Sequence, residues 1–107
     1  MMIYKVFRAD EWTEAREAGR FEGSTDDRRD GFIHFSPADQ VRETVARHFA
    51  DEDGSVEDGL VIVGVDADRL GGNLKWESSR GGIEFPHLYG VWDFDQAPPV
   101  VGGPPGG

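Results

Sequence analysis

Cysteine is absent from this chain. Its absence excludes a disulfide framework, a zinc–thiolate centre and a thiol nucleophile, and it fits a reducing compartment. Positive charge is scarce as well: 11 Lys and Arg stand against 21 Asp and Glu, for a formal charge of −10 over 107 residues. That balance argues against bulk attraction to nucleic acid or anionic lipid. It leaves Arg28/Arg29 and Lys75/Arg80 as candidates for a local basic pocket. Long apolar runs are also missing. Neither the amino terminus, Met-Met-Ile-Tyr-Lys-Val-Phe-Arg, nor any later stretch has the length of a membrane span or the pattern of a cleavable leader, so a cytoplasmic chain is expected. No internal repeat is visible.

What is present describes an ordinary folded chain. Hydrophobic residues make up 37% and charged residues 30%, which separates the sequence from disordered ones. The length suits one domain with one modest core, expected over residues 1–96 and followed by a flexible Pro/Gly tail at 97–107.

The stretch Asp30-Gly-Phe-Ile-His-Phe-Ser-Pro-Ala-Asp-Gln-Val41 joins a strand to a helix through a polar corner. Alternation puts Ile33 and Phe35 on one side and Phe32, His34 and Ser36 on the other, so a core-facing Ile33/Phe35 pair turns His34 away from the core. Ser36 reads as a helix N-cap, with Pro37 at the first helical position and Asp39 near the positive end of the dipole. An imidazole beside free backbone N–H groups suits an anionic or carbonyl-bearing ligand. The competing structural reading has Ser36 only capping and His34 only satisfying a neighbouring carbonyl.

Elsewhere, Ile3 to Phe7 predicts a short strand, and Asp10 caps a helix to about Ala18, stopped by Gly19, with Trp12 in the core. Phe21 to Arg29 reads as a loop. After Ser36, the stripe Val41, Thr44, Val45, His48 and Phe49 predicts a helix with one buried face and a structural role for His48. Gln40 points back towards the Ser36 corner. Asp51 to Gly59 is a solvated connection, and Leu60 to Val65 is a strand at the centre of the sheet, covered on both faces. A helical turn at Asp66–Leu70 precedes an alternating strand, Asn73 to Ser78. In Ile83 to Gly90, Pro86 keeps Phe85 extended, so Phe85, His87 and Tyr89 share a face opposite Leu88. Val91 to Phe94 continues as a final strand. Two helices with short strands and no regular βαβ alternation predict an α+β domain with a mostly antiparallel sheet or split sheets.

Three places thus offer polar groups beside aromatics: His34/Ser36, Trp76/Glu77 and His87/Tyr89. Ile3-Tyr4-Lys5-Val6, Trp12 with Ala15 and Gly19, Asp30-Gly-Phe-Ile-His-Phe-Ser36 with Gln40, Trp76-Glu77 and Phe85-Pro-His-Leu-Tyr-Gly90 occur in the order of a bacterial and plant family called domain of unknown function 952, which the chain resembles. The resemblance implies a fold like that of ADP-ribosyltransferases, which use NAD. Within that comparison His34-Phe-Ser36 is similar to the His-x-Ser/Thr strand motif that holds the nicotinamide ribose. The second motif has no tyrosine in Leu60 to Val65, and the catalytic glutamate is open between Glu77 and Glu84, with His87 as a replacement.

Two functions of different class follow. The first is a transferase that breaks the nicotinamide–ribosyl bond of NAD or a related ADP-ribose compound. Its catalytic residues are His34, Glu77 and His87: His34 positions a ribose hydroxyl, and Glu77 or His87 acts on charge or protons. Ser36 and Gln40 bind the ligand, Trp76 or Tyr89 stacks on a flat ring, and Arg80 or Arg28 meets phosphate. The second is a non-catalytic module that binds a small nucleotide-like molecule. A metal site built from two histidines and Glu77 ranks below both, because no short ligand spacing supports it.

Overall fold

A computed structural model describes residues 1–50 and 59–104, Arg80 by its backbone alone. The connection expected at Asp51–Gly59 therefore lies outside the described residues except for Gly59. The first strand, β1 (Met2–Arg8), buries both of its faces: Ile3 and Phe7 go to one side, Tyr4 and Val6 to the other. Helix α1 (Ala9–Ala18) follows directly. It is capped at Arg8, whose backbone N–H donates to the Glu11 carboxylate at 2.9 Å, and not at Asp10 as the sequence suggested. Trp12 enters the core and Gly19 ends the helix.

Strand β2 (Arg20–Phe21) leads to helix α2 (Thr25–Asp30), where a loop was expected. Ser24 and Asp27 form the reciprocal cap that starts it: the Asp27 N–H donates to the Ser24 hydroxyl at 3.2 Å, and the Ser24 N–H to the Asp27 carboxylate at 2.9 Å. Gly31, at φ 88°, takes the left-handed conformation that ends α2 and turns the chain into β3 (Ile33–His34).

Two residues later the chain is in a different sheet. Strand β4 (Ser36–Pro37) pairs with β1, whereas β3 pairs with the late strand β7 (Glu84–Leu88). Phe35 makes the crossing, its N–H donating to the Pro86 carbonyl at 3.0 Å. Ser36 therefore sits in a sheet, opposite Tyr4, and does not cap a helix; its hydroxyl shares a 2.8 Å hydrogen bond with Thr44. A 3-10 turn at Ala38–Gln40 precedes helix α3 (Val41–His48). Val41 is buried and Thr44, Val45 and Phe49 are half-buried, but His48 is exposed rather than packed on the helix stripe.

Strand β5 (Leu60–Asp66) runs antiparallel to the whole of β1, from Met2 opposite Asp66 to Arg8 opposite Leu60. After a 3-10 segment at Ala67–Asn73 come β6 (Leu74–Ser78), β7 and β8 (Trp92–Asp93). The segment expected as a flexible tail departs from that reading: Ala97 is buried, and β9 (Val100–Val101) pairs with β5. The free edge of β5 takes up two β-branched residues that need little else to extend.

Among the described residues the result is α+β with antiparallel pairing, in three sheets: β4-β1-β5-β9, β2-β8 and β3-β7-β6. No helix among the described residues is long and apolar enough to cross a membrane. The main core centres on Trp92, which is fully buried with its ring 4.9 Å from Phe94, 5.4 Å from Phe35 and 6.2 Å from Phe7. Its indole N–H donates to the Ala97 carbonyl at 2.8 Å, which satisfies the one polar atom this burial would otherwise strand. A smaller cluster of Tyr4, Val6 and Val41 lies on the other face of β1, under α3.

Gly64 is the position in β5 where the Tyr4 ring lies across the backbone. A Cβ there would stand 3.0 Å from a Tyr4 ring carbon and 2.9 Å from the Met2 methyl. The methionine end swings away easily, but the buried tyrosine ring does not. Gly64→Val is therefore expected to lower unfolding free energy by about 1–3 kcal/mol, the usual range for overpacking. Urea denaturation measures it, and an unchanged midpoint would refute the close contact.

Candidate functional site

The hollow of the molecule opens where the sheet divides. Among the described residues β4 accompanies β1 only at Ile3 and Tyr4, so the rest of that edge of β1 has no strand beside it. A cavity of about 520 Å³ lies there, walled by β1, α2, the β3–β4 crossing, the end of α3 and β7. That volume is in the range of small-molecule sites, ~300–1,000 Å³. All three histidines of the chain, His34, His48 and His87, border it.

Asp27 is the anchor of one wall. It is only 2% exposed, and burial of this kind opposes ionisation. The opposition is outweighed by a hydrogen bond from His34, the charge of Lys5 and the Ser24 backbone N–H, which together hold the carboxyl well below the usual range. Lys5 Nζ reaches both carboxylate oxygens at 2.9 and 3.0 Å. The His34 backbone N–H donates at 3.2 Å, and its ring Nδ1 lies 2.6 Å from Oδ1. The other ring nitrogen of His34 is 3.0 Å from Asp30. Both contacts are satisfied together only when both ring nitrogens carry a proton.

His87 forms the facing wall. Strands β3 and β7 place it directly opposite His34, and the two rings are 5.6 Å apart, edge to face. Phe32 stacks on His87 at 4.1 Å and also touches the His34 ring at 4.6 Å and the Tyr89 ring at 5.2 Å. His87 Nδ1 is 2.8 Å from the Glu77 carboxylate, whose same oxygen accepts the Tyr89 hydroxyl at 2.7 Å. The Tyr89 bond, followed by that of His87, lowers the Glu77 pKa, and the Glu77 bond raises that of Tyr89.

The proposed residues therefore divide. His34, Ser36 and His87 border one cavity, and Glu77 and Tyr89 reach it only through His87. Trp76 is 37% exposed on β6 outside the cavity lining, and Gln40 is also outside it, its side-chain oxygen buried without a hydrogen-bond partner among the described residues. Arg28 and Glu84 are exposed and do not line the cavity either. The side chain of Arg80 lies outside the described residues. Among the described residues no three ligating side chains are arranged to hold a metal ion.

Lys5, Asp27 and Asp30 are the residues that sequence reasoning missed. Two signals pointed to the first two: Ser24-x-x-Asp27 is a helix-start pattern, and Lys5 shares a strand face with the core residues Ile3 and Phe7, which demands a buried partner.

A family model described as "Protein of unknown function (DUF952)" matches residues 6–99. Protein CC0527 from Caulobacter crescentus is similar throughout. Its crystal structure is 42% identical with a TM-score of 0.82, over 94% of this chain and 85% of that one. Its solution structure is 42% identical with a TM-score of 0.76, over 95% of this chain and 83% of that one. No curated protein matches the chain.

The buried carboxylate sets a testable pH signature. Because the folded pKa of Asp27 lies below its ordinary value of 3.8, the stabilisation it gives is complete above that pH and is lost as pH falls below it. Asp27→Asn leaves Lys5 and His34 without their counter-charge and is expected to cost about 3–5 kcal/mol at pH 7. In urea titrations the gap between the two proteins should narrow below pH ~4, the ordinary carboxylate range. Equal stability at pH 7 would contradict the assignment.

Proposed function

The chain belongs to the family described as protein of unknown function (DUF952), and for it we propose a transferase that acts on NAD or a related ADP-ribose compound in the cavity between the divided sheets. The observation that carries this reading is the meeting of His34 and His87 across one hollow, 5.6 Å apart, with His34 in the strand segment similar to the His-x-Ser/Thr motif of ADP-ribosyltransferases.

The residues present fit such a substrate. Lys5, Arg8, Arg29 and Arg47 border the cavity beside Glu11, Asp26, Asp27 and Asp30, so in a chain whose net charge is −10 the lining balances its charges and offers cations to a phosphate. His34 has its Nδ1 fixed on buried Asp27, and its Nε2 meets Asp30, a half-exposed partner that a ribose hydroxyl replaces with little loss. Breaking the nicotinamide–ribosyl bond leaves positive charge on the ribose carbon. Asp27 borders the same space, held by Lys5 and His34, and a fixed carboxylate there lowers the barrier.

A second reading has its own observation. Glu77, the glutamate nearest the late histidine, is turned to Tyr89 and His87 and does not border the cavity. A pocket that binds the nucleotide without turnover is consistent with that arrangement.

Incubation with NAD separates the two. Saturating NAD at ~100 times its dissociation constant should stabilise the fold by about 2.7 kcal/mol, a melting shift of several degrees. The transferase releases nicotinamide above a His34→Ala control, and the binding module gives the shift alone. Neither shift nor release rejects both.

A further inference from the structure

His34 and His87 face each other but are not chemically equivalent. Both ring nitrogens of His34 meet carboxylates, Asp27 at 2.6 Å and Asp30 at 3.0 Å. On His87 only Nδ1 is engaged, by Glu77 at 2.8 Å, and Nε2 has no hydrogen-bond partner among the described residues. Glu77 lies outside the cavity lining and His87 within it. Nδ1 is therefore committed to a residue outside the lining, and Nε2 is the ring nitrogen left for a ligand in the hollow.

Burial, a stacked ring and a held carboxylate fix that imidazole. Its side chain is 8% exposed, Phe32 stacks on its face at an interplanar angle of 22°, and Glu77 is itself held by the Tyr89 hydroxyl. An ionised carboxylate only accepts hydrogen bonds, so Nδ1 carries the proton and, in the neutral ring, the lone pair is on Nε2. A carboxylate that orients an imidazole with its far nitrogen towards substrate space is the arrangement of a general base.

We infer that His87 is the general base of this cavity, with Glu77 and Phe32 as positioning residues, and that the acceptor it deprotonates is a hydroxyl, of water or of an alcohol. The inference rests on the transferase reading above. As the acceptor oxygen bonds to the ribose anomeric carbon, its proton passes to His87 Nε2. The bond from that carbon to the nicotinamide nitrogen breaks, its electron pair stays on the nitrogen, and neutral nicotinamide leaves. An amine attacks as its free base and a carboxylate is already ionised, so neither needs a base before attack. A hydroxyl does.

Two measurements on the full chain test this. Long-range ¹H–¹⁵N spectra of the imidazoles should show His87 protonated at Nδ1 and bare at Nε2, and Glu77→Ala should shift it towards the Nε2–H form. A wild-type His87 protonated at Nε2 overturns the assignment whether or not NAD binds. With NAD, His87→Gln should lower kcat for nicotinamide release ~10²–10⁴-fold, the range for a general base, and leave KM within twofold. An unchanged kcat also overturns the proposal. Free ADP-ribose as product identifies water as the acceptor, and an adduct with added alcohol identifies the alcohol. If NAD neither binds nor turns over, the transferase reading fails and the general-base role falls with it, whichever tautomer the spectra show.

Discussion

Asp27 is a carboxylate buried to 2% exposure, and such a group is tolerated only with its charge and its lone pairs answered. The answers come from three places: Lys5 22 residues earlier, the Ser24 N–H at the start of its own helix, and His34 seven residues later. One side chain therefore ties β1, α2 and β3 together, and the knot is also a wall of the cavity. The attraction between Lys5 and Asp27 is large in a low dielectric, but so is the desolvation it must offset, so the pair contributes less to net stability than to position. Loss of Lys5 removes the counter-charge of a carboxylate that stays buried. The orientation of His34 is thereby enforced by the same interaction that holds the fold.

The cavity follows from where the sheet comes apart. Ile33 and Phe35 both point to the core, as period-two alternation requires, yet the chain leaves β7 after His34 and joins β1 at Ser36. Only Phe35 lies between, pinned by its hydrogen bond to the Pro86 carbonyl. The strands on either side diverge from that point, and beyond Tyr4 no strand among the described residues pairs with that edge of β1, where Lys5 reaches Asp27 of α2. Thr44, bonded to the Ser36 hydroxyl, fixes α3 over the gap. The residue read from sequence as a helix cap is thus a clamp between a sheet and the helix that roofs the hollow.

Much of this was legible where a pattern is local. The alternation at Ile33–Phe35, the apolar run of β5, the core role of Trp12 and the shared face of Phe85, His87 and Tyr89 were each set by neighbours within a few residues. What failed was decided at a distance. Ser36 looks like a cap until Tyr4 pairs with it, and Val100–Val101 looks like a tail until β5 offers an edge. Trp76 suggested stacking on a ligand, but its strand, β6, is the outer one of the β3-β7-β6 sheet and carries it outside the cavity. The case of α2 is different, because its Ser24-x-x-Asp27 start is visible in a segment whose mixed charges read as a loop. Asp27 was lost with that helix, and with it the partner that Lys5 required.

Charge in the cavity departs from the chain's average in a way that bears on recognition. A net charge of −10 repels an approaching anion, but salt screens that repulsion beyond about 8 Å at physiological ionic strength. Inside, the acidic side chains are committed: Asp27 to Lys5 and His34, Asp26 and Asp30 to Arg29, with Asp30 also on His34. These pairs differ in depth. The Lys5–Asp27 contact is buried, while Arg29 and Asp30 are solvated and their pairing is screened by water and salt. A phosphate or ribose oxygen can therefore take the place of Asp30 on Arg29 or His34 at small cost and cannot displace Asp27. An inner pair that stays and an outer carboxylate that yields give the cavity selectivity for oxygen-rich ligands by exchange of partners, and no net positive field is needed for it.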